Sequence, residues 1–310
     1  MSQTALFIAF NVGVLAVLAI DLGVFNREAH VASVKEAAAW SSVWITLSLM
    51  FAGVIYWQMG SQATLEFLTG YLIEYSLSID NIFVIVLIFS YFRIPDKYQH
   101  RVLFWGIIGA LLMRGAMIAA GAYLIERFHW IMYVFGAFLV FTGLRMANHD
   151  ESDIEPEANP ILRLVRRMVP VTHDYRGQNF FVTESPARGA PPTLMATPLF
   201  IVLVLVETTD LIFAVDSIPA IFAVTRDPFL VYTSNVCAIL GLRSLYFLLA
   251  GVIHKFHYLK LGLAVVLTFV GAKMLLGSVY VIPIHISLLV IALVLTTATI
   301  ASVIFPKDKA

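Results

Sequence analysis

The sequence holds one cysteine, Cys237, in 310 residues. No disulfide can form within the chain, and no Cys-x-x-Cys or clustered spacing is present to hold a redox centre. Cys237, in an apolar run, reads as a buried, inert thiol. Charge is scarce as well. Asp, Glu, Lys and Arg make up 13% of the residues, twenty of each sign, for a formal net charge of zero and a pI near 7.1. Such a balance supplies no basic face, and nucleic acid is not expected as a partner. The first residues, MSQTA, carry no Lys or Arg, and no small-x-small site closes the apolar run from Leu6 to Val24. A retained span is expected there, not a cleaved secretory signal.

What the chain has in abundance is apolar length. Hydrophobic residues are 60% of the total and the mean hydropathy is +0.87, the composition of an all-α polytopic membrane protein whose first partner is the lipid bilayer. Windows long enough to cross a bilayer lie near 5–25, 40–58, 64–92, 102–125, 129–147, 194–222, 229–251, 259–281 and 284–305, so about nine transmembrane helices are expected. The odd-numbered loops and the C-terminal tail hold fourteen Lys and Arg residues, whereas the even loops hold only Arg127 and Arg226. Arg114, Arg145, Arg243 and Lys273 fall within or at the ends of spans, with Arg145 close enough to its helix end to snorkel. The positive-inside rule then sets the N-terminus outside and the C-terminus in the cytoplasm of a bacterial inner membrane. One long segment, 148–193, carries an acidic start, the basic amphipathic ILRLVRRM and a hairpin signal around NFFVTES, and reads as a solvated cytoplasmic linker.

The stretches on either side of that linker repeat. DNIFVI at 80–85 matches DLIFAV at 210–215, ALLMRG at 110–115 matches ILGLRS at 239–244, ERFHW at 126–130 matches HKFHY at 254–258, and GLRM at 143–146 matches GAKM at 271–274. The offsets, 130, 129, 128 and 128, keep order with little drift. A unit of three helices is odd, so the second copy enters from the opposite side and the copies form inverted repeats, helices 3–5 against helices 6–8. The expected organisation is two N-terminal helices (1–62), the first repeat (63–147), the loop (148–193), the second repeat (194–281), and a last helix with its tail (282–310).

Acids lie where such folds bind their substrates, at the midplane between repeats. The first repeat offers Glu74, Asp80 and Asn81, with Glu66 nearer the interface; the second offers Glu207, Asp210 and Asp216, with Ser217 beside them. A carboxylate at that depth costs about 3 kcal/mol even on the lenient insertion scale, so it needs a partner or a task. Arg114, Arg243 and Lys273 are the deep cations available as ion-pair or coupling partners, and the repeat relation suggests Asp80 with Arg114 and Asp210 with Arg243. Three cations leave carboxylates over for an incoming cation or for protons. Glu207 and Asp210 share a helical face, whereas Asp216 lies about 120° from Asp210 in an unbroken helix. Either the helix unwinds, before Pro219 in one copy and near Ser76, Ser78 and Asn81 in the other, or the acids serve different partners. The eight histidines sit in loops or at helix ends, so an oxygen-only site of Asp80, Asn81, Glu207, Asp210, Asp216 and Glu74 favours Mn²⁺, Mg²⁺ or Ca²⁺ over Zn²⁺ or copper.

GYLIEYSLSIDNIF (70–83), VETTDLIFAVDSIPAIFAVTRDPF (206–229) and NVCAILGLRSLYFLLAG (235–251) resemble the signatures of the TerC family, and the likeness extends along nearly the whole chain. That family is named for tellurium resistance and placed with the LysE-type transporter superfamily. The resemblance implies Mn²⁺ efflux, with the family's membrane acids falling on Glu74, Asp80, Glu207, Asp210 and Asp216, and its neighbouring polar positions on Asn81 and Ser217. On this reading Mn²⁺ is cargo, no cofactor and no enzymatic activity are expected, and protons are a further expected partner; the sequence points to no protein partner. The alternative is a membrane redox or stress-response component without transport of its own. The lone cysteine and the lack of paired intramembrane histidines for haem argue against it. A hydrolase built on Asp80 and Asp210 lacks any Gly-x-Gly-Asp stretch.

Overall fold

Helices account for nearly all of the regular structure. The computed structural model of the chain describes residues 3–20, 33–128, 130–148, 160–172, 174–185, 191–250, 257–277, 279–280 and 282–305. In chain order the elements are α1 (Gln3–Ile20), α2 (Val34–Tyr91), α3 (Asp96–Arg127), α4 (Ile131–Asn148), α5 (Pro160–Met168), β1 (Phe181–Glu184), β2 (Thr193–Ala196), α6 (Pro198–Phe222), α7 (Pro228–Leu240), α8 (Leu242–Leu249), α9 (His257–Leu276) and α10 (Ile284–Ile304). Local chemistry sets several of their starts. Ser33 caps α2 by accepting the Glu36 N–H at 3.2 Å, and Asp227 caps α7 by accepting the Phe229 N–H at 2.9 Å, with Pro228 in the first turn.

Six helices are long and apolar enough to cross a membrane, and α7 with α8, bent by 40° at their junction, raises the number to seven. That number takes Val34–Tyr91 as one span, but its 58 residues are two helices joined at Gly60, whose non-helical φ of +87° only glycine adopts without strain, and they coincide with the separate windows expected at 40–58 and 64–92. The expectation of nine further counts the N-terminal window as a span. The apolar part of α1 is the short Gln3–Ala19. The all-α polytopic class therefore holds. The repeat partners on HKFHY and ERFHW include residues 129 and 254–256, which lie outside the described residues, as does the acidic start of the 148–193 segment.

Close approach organises the centre. Helix α4 packs along α9, where a Cβ at Gly136 would meet the Gly271 carbonyl at 3.1 Å and one at Gly143 the Ala264 carbonyl at 2.8 Å. Small residues at these points let the two backbones touch, the usual basis of helix association in lipid. Around this seam α2 packs on α6, α7 and α8, α3 packs on α6, and α10 lies against α9 and α2. The described part of the 148–193 segment is not a solvated linker. Leu162 of α5 is 1% exposed and belongs to the same apolar cluster as Val102, Leu199 and Leu205. β1 pairs antiparallel with β2, Phe181 opposite Ala196, and the Tyr175 hydroxyl donates to the Phe92 carbonyl at 2.8 Å beyond the end of α2. On the hairpin's surface Arg176 Nε donates to Glu184 Oε1 at 2.7 Å, which holds the Glu184 carboxyl below the usual carboxylate range.

Candidate cation site

Helix α6 decides how the acids are distributed. It runs unbroken from Pro198 to Phe222 with Pro219 inside it, and α2 is likewise helical through Asp80, so the expected unwinding beside the acids does not occur. Proline at 219 removes one N–H donor, the one that would serve the carbonyl of residue 215, and the helix tolerates that single loss. The hydroxyls nearby bond back to carbonyls of their own helices without breaking them: Thr208 donates to the Val204 carbonyl at 2.7 Å, Thr209 to Val206 at 2.8 Å, and Ser76 to Leu72 at 2.7 Å. With the helix intact, the 3.6-residue period aims each acid in a different direction.

Asp210 and Ser217, seven residues apart, share the face turned to α3. There Arg114, 1% exposed, donates from Nε to Asp210 Oδ2 at 3.1 Å and from Nη2 to Asp210 Oδ1 at 2.7 Å. Its Nη1 donates to Glu74 Oε1 of α2 and, at 3.4 Å, to Ser217 Oγ. The guanidinium of the first repeat is thus held by an acid from each repeat. The pair suggested by the repeat relation, Asp210 with Arg243, is replaced by Asp210 with Arg114. Arg243 is buried on α8, just past the bend at Gly241.

A cavity of about 340 Å³ ends at this triad. Glu74, Asp80, Asn81, Arg114, Thr142, Arg145, Asp216, Ser217 and Lys260 supply its polar lining, with Leu77, Met146, Phe213 and Leu267 between them. Of the residues expected to form the site, Glu74, Asp80, Asn81, Asp216 and Ser217 are brought together here. Two acceptor oxygens of the residues that line it, Glu74 Oε2 and Asn81 Oδ1, are buried and take no hydrogen bond, a condition costing about 1–3 kcal/mol each unless a ligand supplies the missing partner. Asp210 lies apart, on a void of about 20 Å³ that it shares with Asn81 and Thr209. Glu207 turns toward α3, where its carboxylate occupies the space a Cβ at Gly109 would need, and its Oε2 is also unsatisfied. Among the described residues, no three His, Cys, Asp or Glu side chains stand close enough together to form a ready metal-ligand cluster.

Thr142, Arg145 and Lys260 were not anticipated in the site. Arg145 read as a snorkelling residue and Lys260 as a loop charge, because neither sequence position reveals that α4 and α9 cross closely enough to aim both inward. Asp216 faces Thr142 and Arg145 across this space. Lys273 lines a second cavity, of about 940 Å³, with Gln62, Glu66, Arg226, Asp227 and His285. The two cavities sit toward opposite ends of the bundle: α4 presents Met132 to the larger and Arg145 to the smaller, and α9 presents Lys273 and Lys260 respectively. Ile73, Leu139, Ala220 and Val270, each no more than 1% exposed, belong to the apolar cluster at the level between them.

The family model described as the integral membrane protein TerC family matches residues 59–310. The chain is 52% identical over 298 residues to the uncharacterized membrane protein STKORF319 of Myxococcus xanthus, covering 96% of this chain and 91% of that one. It is 50% identical over 313 residues to Alx of Escherichia coli K12, named provisionally as a membrane-bound redox modulator, covering 97% and 95%. A membrane protein of Rickettsia bellii is 42% identical over 298 residues, covering 96% and 97%. No solved structure matches the chain.

Proposed function

The chain belongs to the integral membrane protein TerC family, and from that premise we propose that it exports a divalent cation, Mn²⁺ before Mg²⁺ or Ca²⁺, across the bacterial inner membrane. The observation that carries this reading is the pair of orphaned acceptors, Glu74 Oε2 and Asn81 Oδ1, beside Asp80 and Asp216 in the smaller cavity. Buried oxygens without donors suit a hard cation, and an all-oxygen set disfavours Zn²⁺ and copper. Glu74, Asp80, Asn81 and Asp216 are the ion's ligands, Ser217 a neighbouring hydroxyl, and Asp210 acts on the ion through Arg114. The absence of a ready cluster fits a carrier that must release what it binds, with Asp80 and Asp216 drawing inward only around the ion.

Alternating access by inverted repeats is supported by what lines the two cavities. Arg145 and Met146 in the smaller correspond through the GLRM and GAKM match to Lys273 and Met274 in the larger; at the same offset of 128, Lys260 in the smaller corresponds to Met132 in the larger. Equivalent positions on opposite sides are what a two-fold axis in the membrane plane produces. The packing of α4 on α9, α2 on α6, and α3 on α6 as α2 on α7 and α8 follows the same exchange. With the N-terminus outside, the smaller cavity faces the cytoplasm and collects the ion, the larger faces out and receives it. Protons taken up by Asp80 or Asp216 after release provide the return charge.

Purified protein in liposomes holding a Mn²⁺-sensitive dye tests the reading. Wild type is expected to move Mn²⁺ and Asp80→Asn with Asp216→Asn to reduce the rate by more than the roughly 10–100-fold cost of losing a partner that merely orients a ligand. Undiminished transport by the double variant overturns the site. The name carried by the Alx relatives favours a second reading, a redox modulator. No transport by wild type, together with a visible cofactor band in the purified protein, would establish that reading instead.

A further inference from the structure

We propose that Arg114 is a tethered counter-cation that occupies the acid site whenever the transported ion is absent, so that ion and guanidinium alternate at Glu74. The inference rests on the export reading above and goes beyond it in assigning how the empty protein returns. Three observations carry it. Arg114 is 1% exposed, yet it ends the cavity and does not hide behind it. Its forked contact, Nε and Nη2 together, goes to Asp210, while Nη1 alone reaches Glu74. Glu74 in turn uses one carboxylate oxygen for Arg114 and leaves Oε2 unpaired and buried.

The asymmetry assigns the roles. A bidentate guanidinium–carboxylate pair is rigid and directional, which makes Asp210 the anchor. The contact to Glu74 is the one that can be surrendered. A divalent ion arriving beside Asp80 and Asn81 meets a like charge in Arg114 and an unfilled acceptor in Glu74 Oε2, so binding draws Glu74 from the guanidinium to the ion. Once the ion leaves, Glu74 would be an uncompensated carboxylate in the apolar centre, and Arg114 restores its partner. Arg114 and Glu74 both lie in the first repeat and Asp210 in the second, so the Asp210 anchor joins the repeats throughout and only the Glu74 contact changes with occupancy. Arg145 and Lys260 stand in the same cavity as Asp80 and Asp216, so fixed cations accompany those acids too. Loading by Mn²⁺ frees Glu74 from Arg114; unloading restores that contact for the return.

The test separates return from binding. Full-length wild type, Arg114→Gln and Arg114→Lys are reconstituted and assayed for net Mn²⁺ flux into ion-free liposomes, for exchange of radioactive Mn²⁺ against Mn²⁺ on both sides, and for Mn²⁺ affinity in detergent. Arg114→Gln is expected to bind Mn²⁺ about tenfold more tightly, since a like charge has been removed, to lose about tenfold in net flux because the empty carrier cannot return, and to keep exchange within about threefold, because exchange never uses the empty carrier. Arg114→Lys, which keeps the charge, is expected to retain most of the net flux. If Arg114→Gln lowers net flux and exchange equally, or weakens binding, Arg114 is a structural ion-pair partner and the inference falls. If wild type moves no Mn²⁺ at all, the export reading falls and takes this inference with it. Should Arg114→Gln fail to fold, Asp210→Asn is compared with Asp210→Asn/Arg114→Gln, in which no buried charge is stranded between those two positions. Tighter Mn²⁺ binding by the double variant supports the inference, and equal or weaker binding overturns it.

Discussion

Along α2, Gln62 and Glu66 face a cavity of about 940 Å³, and Glu74, Asp80 and Asn81, two to five turns further on, face one of about 340 Å³. Both hold charges of each sign, but the charges live under different physics. In the larger, Arg226 and His285 are exposed and Glu66 accepts a hydrogen bond from the exposed Gln62 at 2.9 Å, with Lys273 half-buried beside them. In the smaller, Glu74 has no exposed surface and Arg114 almost none, and acceptors remain unfilled. A solvated charge asks nothing of a ligand, whereas a buried orphan does. Mixed charge by itself therefore says little about binding; burial with an unmet hydrogen bond separates a binding site from a vestibule.

That contrast can be broken in three ways. The largest effect is all-or-none. With the proposed orientation, Glu66→Cys in intact cells reacts with a membrane-impermeant thiol reagent added outside, whereas Lys260→Cys reacts only from the cytoplasmic side of inverted vesicles. Cys237, 7% exposed, supplies a low background. Reaction of both from one side would show that the cavities do not face opposite compartments. A middling effect is expected for Glu66→Gln: because its charge is solvated, Mn²⁺ transport should fall by no more than about threefold, the size of a screened surface interaction. A loss as deep as that of Asp80→Asn with Asp216→Asn would make the vestibule a second binding site.

The smallest effect lies outside both cavities. Arg176 holds the Glu184 carboxyl low, so the stabilisation is present above the unfolded carboxylate value and is lost as pH falls through the lower folded value. Both side chains are well exposed, at 40% and 38%, and solvent screens the pair. Glu184→Gln should leave thermal stability and transport at pH 7 unchanged within error, and a clear loss of either would give the β1–β2 hairpin a part in the transport cycle.

Some of this was legible in the chain. Apolar length and scarce charge decide a bilayer protein whatever the packing, because residues unable to satisfy water must be buried or face lipid. The 130-residue echo of DNIFVI in DLIFAV marks Asp80 and Asp210 as related positions, and the helical period separates Asp216 from Asp210 as soon as the helix stays intact. That period holds within one helix only. Nothing local tells α6 to stay helical through Pro219, since a proline can break or be tolerated depending on whether neighbouring helices cover the one carbonyl it leaves. Nor does any local signal say that Arg114 reaches across to Asp210, that Glu207 fills the space left by Gly109, or that Arg145 and Lys260 meet over the acids. Those pairings depend on how closely helices approach, and the approach is set at points such as Gly143 on Ala264 and Gly136 on Gly271, far apart in sequence. The sequence by itself determined the solvent this protein lives in and the acids it places there. Only the tertiary structure decided which acid has a cation and which has an empty oxygen, because charge partners are chosen by distance between helices and not by spacing along one.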